Sequence, residues 1–189
     1  MASELLVEIL EDLVAVVSTN RLVEIKEAEY AANATAVHYM YGSDEEIVAR
    51  LCSLSKDKET RLQKYPLVWL MTPFDQFQKR GELDNLTFDI LIINGTKADL
   101  ISPQRYEKNF IPILKPIADE FLNQLQVFSY GRYKPFETGE MENGYRFNDY
   151  WGKKKAVSSS SNASANTLLD FLDCIELRNI KLKLEPKNC

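Results

Sequence analysis

The sequence predicts an α+β fold: a mainly antiparallel sheet packed by one long kinked helix, with an extended aromatic arm and a flexible Ser-rich loop. Three observations carry this. Helix-like and strand-like segments do not alternate strictly, as a doubly wound parallel sheet requires. The apolar runs "YPLVWLMTPF" (65–74) and "LTFDILIING" (86–95) are joined by a short polar link containing Gly81, whereas a parallel crossover needs about a dozen residues and usually a helix. The longest helical pattern, 103–125, carries a single broad apolar stripe, as a helix laid on a sheet does.

The elements follow in order. Leu5, Leu6, Ile9, Leu10, Leu13 and Val14 recur at helical spacing over 3–17, with Ser3 as a cap. "LVEIKEAEYAAN" (22–33) reads equally as an exposed strand or a short helix. Thr35, Val37, Tyr39 and Tyr41 alternate with smaller or polar residues, which predicts a strand ended by Gly42. Ser43 and Glu46 have capping-box spacing and open a helix with Ile47, Val48, Leu51 and Leu54 on one face. A charged connection (56–64) leads to the strand at 65–74, and "KRGELDN" (79–85) is a turn. Ser102 caps the long helix, Pro103 sits at its first position, and Pro112 and Pro116 predict a kink or break near 109–112.

Beyond the helix, 127–156 is rich in aromatics and glycine, and "KKKAVSSSSNASAN" (153–166) is polar and of low complexity. The chain returns to order in "LLDFLDCIELRNIKLKLE". There the apolar phase switches between Ile175/Leu177 and Ile180/Leu182, so a β-bulge is expected at Arg178-Asn179. The expected division is one α+β domain, 1–126 plus 168–189, with 127–167 as a projecting arm and loop.

Bulk chemistry narrows the function classes. The chain has 189 residues, 45% hydrophobic and 27% charged, with a net charge of −5. That suits one folded domain and disfavours nucleic-acid binding through the overall field. Three cysteines outside any CxxC pair, with one histidine, argue against a Cys/His metal site. The N-terminal apolar run is broken by Glu8, Glu11 and Asp12 and lacks a basic leader, so no signal peptide is expected, and no run approaches the ~18 apolar residues of a membrane span. An intracellular, reduced-thiol chain is expected, and the sequons at Asn33, Asn85 and Asn94 are read as chance.

The stretch 86–110 is where ligand chemistry would be looked for, because a strand ends at Asn94-Gly95 just before a helix. No GxGxxG or GxxxxGK[ST] accompanies it, so it reads as a bare turn. His38, between Val37 and Tyr39, has no nucleophile at a recognisable spacing. Asp75, Asp89, Asp99 and Glu107 invite a metal-dependent nuclease reading, but the Glu-x-Lys companion is missing and solvated carboxylates are expected instead. Lys153, Lys154 and Lys155 beside Tyr150-Trp151 could touch phosphate and bases, though a solvated loop is the plainer reading. Cys174 is expected to pack as a small hydrophobe. Trp69, Phe88, Ile90, Phe110, Ile117 and Phe121 are expected to form one core.

The succession "YPLVWLMTPF", "LTFDILIING", "RYEKNFIPILKPIADEFLNQL" and "LDFLDCIELRNIKLKLE" resembles small virion proteins of tailed bacteriophages. The type is the tail terminator or head–tail completion (neck) protein, as in phages of gut Bacteroidetes. The likeness covers roughly 35–126 and 168–185, and lies in fold-determining residues without a catalytic signature. It implies a structural protein that forms a homo-oligomeric ring with neighbouring neck, portal or tail proteins, without catalysis, cofactor or metal. It also implies a place in the virion, assembled in the host cytoplasm, with no membrane contact and with nucleic acid met only as DNA passing through the ring lumen. The arm is long for a minimal terminator. Its aromatics suit subunit contacts, and Phe136, Tyr145, Phe147, Tyr150 and Trp151 are the expected interface anchors. The alternatives are a small metal-dependent nuclease or other enzyme of a mobile element, and an intracellular adaptor.

Overall fold

The apolar spacing that predicts a helix over 3–17 continues through Leu22 and Ile25, and helix α1 accordingly spans Ala2–Ile25. The computed structural model describes residues 2–55, 64–79, 82–97, 99–127, 137–138, 146–151 and 171–183. α1 starts before Ser3, which therefore lies inside it, and it buries Leu6, Ile9, Leu10, Leu13, Val14 and Val17. The ambiguous segment at 22–33 is helix only through Ile25, where α1 ends, and contains no strand. Beyond Ile25 it is a series of turns closed by Lys26 N–H on Leu22 O, Ala28 N–H on Ile25 O, and Ala31 N–H on Ala28 O.

Strand β1 is His38–Gly42 and helix α2 is Asp44–Leu54. Gly42 has φ +146°, and a Cβ there would lie 2.9 Å from Glu46 Oε2, so only glycine admits the cap. The capping box is formed: Ser43 N–H donates to Glu46 Oε2 at 2.8 Å and Glu46 N–H to Ser43 Oγ at 3.4 Å. Strand β2, Leu67–Met71, returns parallel to β1. The other pairings are antiparallel, involving β3 (Asp75–Lys79), β4 (Glu82–Thr96), β5 (Glu137–Thr138), β6 (Arg146–Trp151) and β7 (Phe171–Lys183). The sheet is thus mainly antiparallel, and the fold is α+β as the sequence predicts. Lys79 pairs with Glu82, so most of the expected turn at 79–85 is strand.

β4 and β7 form the centre, paired from Asn85↔Lys183 to Thr96↔Phe171. β2 and β3 share the outer side of β4, and β5 and β6 share the outer side of β7. The bulge falls where the phase switch places it. Phe88 pairs with Ile180 and Ile90 with Leu177, leaving Arg178 and Asn179 opposite the single residue Asp89. Asn179 has φ 53°, the left-handed conformation that asparagine tolerates better than most residues.

Helices cover both faces of the sheet. Val68, Leu70, Phe88, Ile90, Ile92, Ile175 and Leu177 pack with α1 and the long helix, while Leu67, Trp69, Leu91, Ile93, Leu172 and Cys174 pack with α2. The expected core is therefore split. Phe88, Ile90, Phe110, Ile117 and Phe121 meet, but Trp69 lies on the opposite face. Successive residues of β2 point to opposite faces, and a strand covered on both sides is apolar throughout. Trp69 Nε1 donates to Gly42 O at 2.9 Å, which ties β2 to the end of β1.

The long helix does not break. It runs as α3 (Ser102–Arg105), a π-helical stretch (Tyr106–Leu114) and α4 (Lys115–Val127). Ser102 is its first helical residue rather than its cap, and Gln104 Oε1 accepts the Ile101 N–H at 3.2 Å. Arg105, Asn109, Ile113, Ile117, Phe121 and Leu125 are all buried, four residues apart. In an α-helix each such step overshoots a full turn by about 40°. The wider π turn undershoots it, so the stripe stays on the sheet. The helical pitch thus changes around Pro112, where the sequence places a kink or break.

The arm is also corrected in part. β5 and β6 fall within 127–167 and pair with β7, so 137–138 and 146–151 join the sheet where a projection is expected. β7 offers them an otherwise open edge of backbone donors and acceptors. The Ser-rich loop lies outside the described residues.

Candidate functional site

Of the five expected anchors, Phe136 and Tyr145 lie outside the described residues. Phe147, Tyr150 and Trp151 belong to β6, with Phe147 opposite Ile175 and Trp151 opposite Leu172. Lys153, Lys154 and Lys155 also lie outside the described residues.

The candidate carboxylates do not come together. Asp75 opens β3, Asp99 sits in an exposed turn, and Glu107 is exposed on the π stretch. Asp89 has a structural task, since its Oδ1 accepts the Asn179 N–H at 2.7 Å and closes the bulge. Among the described residues no three His, Cys, Asp or Glu side chains are placed to hold a metal ion. Cys174 is a buried cysteine and Cys52 a half-buried one, neither in a disulfide among the described residues.

The most concentrated polar chemistry lies where the sequence reading finds only a turn. Arg105 and Asp173 are both fully buried. Arg105 Nη1 donates to Asp173 Oδ1 at 2.6 Å, and Asn109 Nδ2 donates to Asp173 Oδ2 at 2.8 Å. Asn94 Nδ2 donates to Asn109 Oδ1 at 2.8 Å. The rest of the Arg105 guanidinium is used on backbone, Nε on Leu100 O at 2.9 Å and Nη2 on Lys97 O at 2.7 Å. Each element supplies its member through local geometry. Asn94 and Asp173 are register partners on β4 and β7, and Arg105 and Asn109 lie four residues apart on the inner side of the helix. Both Asp173 oxygens are occupied, and the Asn94 Oδ1 takes no hydrogen bond among the described residues. A closed constellation of this kind fixes the helix along the sheet. The available signals were Asp173 inside the apolar run "LLDFLDC" and Arg105 and Asn109 on the stripe of an amphipathic helix.

A second polar cluster joins α1 to α4. Glu120 accepts from Asn20 Nδ2 at 2.7 Å, from Arg21 Nε at 3.2 Å and Nη2 at 3.1 Å, and from Gln124 Nε2 at 2.7 Å. These donors, Asn20 foremost, hold its carboxyl below the usual range against the opposing effect of burial. At the surface Lys97 Nζ pairs with Glu29 at 3.0 Å. Burial raises the Tyr39 phenol, and the nearby Glu11 adds to the effect.

No protein-family model matches the chain, and no curated protein is significantly similar to it. Among the described residues no helix is long and apolar enough to cross a membrane.

Proposed function

We propose that this chain is a structural virion protein that forms a homo-oligomeric ring at a bacteriophage neck or tail end, without catalysis. Its partners are copies of itself and neighbouring portal, neck or tail proteins. DNA passes through the lumen, and assembly takes place in the host cytoplasm. The observation that supports this reading is the use of the buried charges. Asp173, Arg105 and Asn109 lock the long helix to the central strands, and Asp89 is committed to the bulge. Head-to-tail subunits close into a ring only if each holds its contact surfaces at a fixed rotation, and a body locked in this way meets that need. The aromatic segment supplies the contacts, with Phe136, Tyr145, Phe147, Tyr150 and Trp151 as anchors.

Deletion of 132–163 tests the reading. β7 keeps its full ladder with β4, so the shortened chain is expected to fold, and mass photometry and electron microscopy are expected to show rings for the full chain only. Rings that persist in the deletion variant, or a variant that unfolds, would overturn the assignment of the anchors. A full chain that forms no ring even with its neck and tail partners would overturn the function.

A further inference from the structure

The geometry points to β1 as a strand through which two copies of this chain pair, antiparallel and about a two-fold axis at Met40. Among the described residues β1 pairs on one side only, with β2. His38 N–H donates to Pro66 O at 2.8 Å and Thr72 N–H to Gly42 O at 3.2 Å. His38, Met40 and Gly42 therefore turn their backbone groups toward β2, and alternation turns those of Tyr39 and Tyr41 outward. The open window is bounded at both ends. Val37 N–H, which also faces outward, is taken by Ser18 Oγ at 2.9 Å, and the chain leaves the strand at Gly42.

Exposed edges are normally guarded by lysine, proline, a bulge or a covering element. "HYMYG" has no lysine, proline or acidic residue, and its pairing with β2 runs without a register shift. Tyr41 is 54% exposed. The window is self-complementary. With Met40 opposite Met40 of the second copy, Tyr39 faces Tyr41 twice. Each such pair exchanges two N–H···O bonds, and its two rings lie on the same face. No like charges meet, and the two outward residues are of one kind, so a second copy satisfies every outward group from Tyr39 to Tyr41. β5 and β6 lie on the opposite side of the sheet, so this contact does not compete with theirs and does not rest on the ring reading.

Five residues make a small interface, so the association is expected to be weak and concentration-dependent. Sedimentation velocity of the full chain over a range of concentrations is expected to show a monomer–dimer equilibrium. Tyr41→Lys should weaken it at least about tenfold, and Tyr41→Pro, which removes an outward N–H, should do the same. Tyr106→Lys, at an exposed aromatic on the long helix, should leave it unchanged. Circular dichroism identifies any variant that fails to fold, and Tyr41→Thr, with good strand propensity, then replaces it. A monomer at every concentration overturns the proposal, as does a dimer indifferent to the Tyr41 variants. Larger head-to-tail species that the Tyr41 variants abolish overturn the two-fold pairing, because β1 then meets a different surface.

Discussion

Asp173→Asn is the most informative single perturbation of the body. It keeps the side-chain volume but removes the charge that faces Arg105, and its amide cannot accept from both Arg105 and Asn109 as the two carboxylate oxygens do. Arg105 remains fully buried and loses the carboxylate charge at its Nη1. Breaking a buried pair in this way costs about 3–5 kcal/mol, a large share of the ~5–15 kcal/mol that a domain has. At about 2–4 °C per kcal/mol in a chain of this size, the melting temperature should fall by roughly 6–20 °C. Arg105→Met should cost a similar amount, because it removes the cation facing Asp173 and a donor to the carbonyls of Leu100 and Lys97. The double variant Arg105→Met/Asp173→Leu removes both charges and should lose about 2 kcal/mol or more less than the sum of the single variants. The assay is urea unfolding at pH 7, with m-values compared to confirm a common unfolding reaction. Single variants that each lose under about 1 kcal/mol, or a strictly additive double variant, would refute the argument that this pair locks helix to sheet.

Phe121→Ala, in the core between the long helix and the sheet, should lower unfolding free energy by about 3–5 kcal/mol, and a melting temperature unchanged within error would show that the helix does not pack there. Asp89→Ala leaves the Asn179 N–H without its acceptor and should cost about 1–2 kcal/mol, whereas Asn179→Gly, at φ 53°, should be neutral or slightly stabilising; both are read by denaturant midpoints. Glu120 has a folded pKa below its unfolded value, so its contribution is present above the unfolded pKa of about 4.3 and is lost as pH falls through the folded pKa. Stability measured between about pH 6 and 3 should therefore fall less steeply in Glu120→Gln than in the parent chain, and parallel curves would disprove the link.

The legible part of the fold was the part set by local pattern. The capping box at Ser43 and Glu46, the antiparallel relation of β2 to β4 and the bulge at Arg178-Asn179 all follow from residue type and spacing. The sidedness of Trp69 was not legible, because β2 is apolar on both faces and its run does not say which face meets which helix. The extent of the strand in 79–96 was hidden by polar residues that read as a turn. Asp173 and Arg105 each look solvated when taken alone. Only the register of β7 against β4 and the four-residue stripe of the helix bring them together across 68 positions. Asp89 was singled out for its place in an apolar strand, and the reason for that place is a backbone N–H ninety residues away.

The π-helical stretch carries a consequence for length changes. Arg105 and Ile117 both face the sheet, twelve positions apart. A regular α-helix turns about 1200° over twelve residues, roughly 120° past three turns, and would point one of the two away. Over eleven residues it turns about 1100°, within roughly 20° of three full turns. The wide turn therefore absorbs one surplus residue, with the geometry of an insertion. Removing an exposed residue such as Glu107 or Lys108 should let the segment relax to an ordinary helix with both ends still on the sheet, whereas losing one residue from α4 should rotate Leu125 away from the core. Deletion tolerance along this helix is thus expected to be highest where its geometry is least regular.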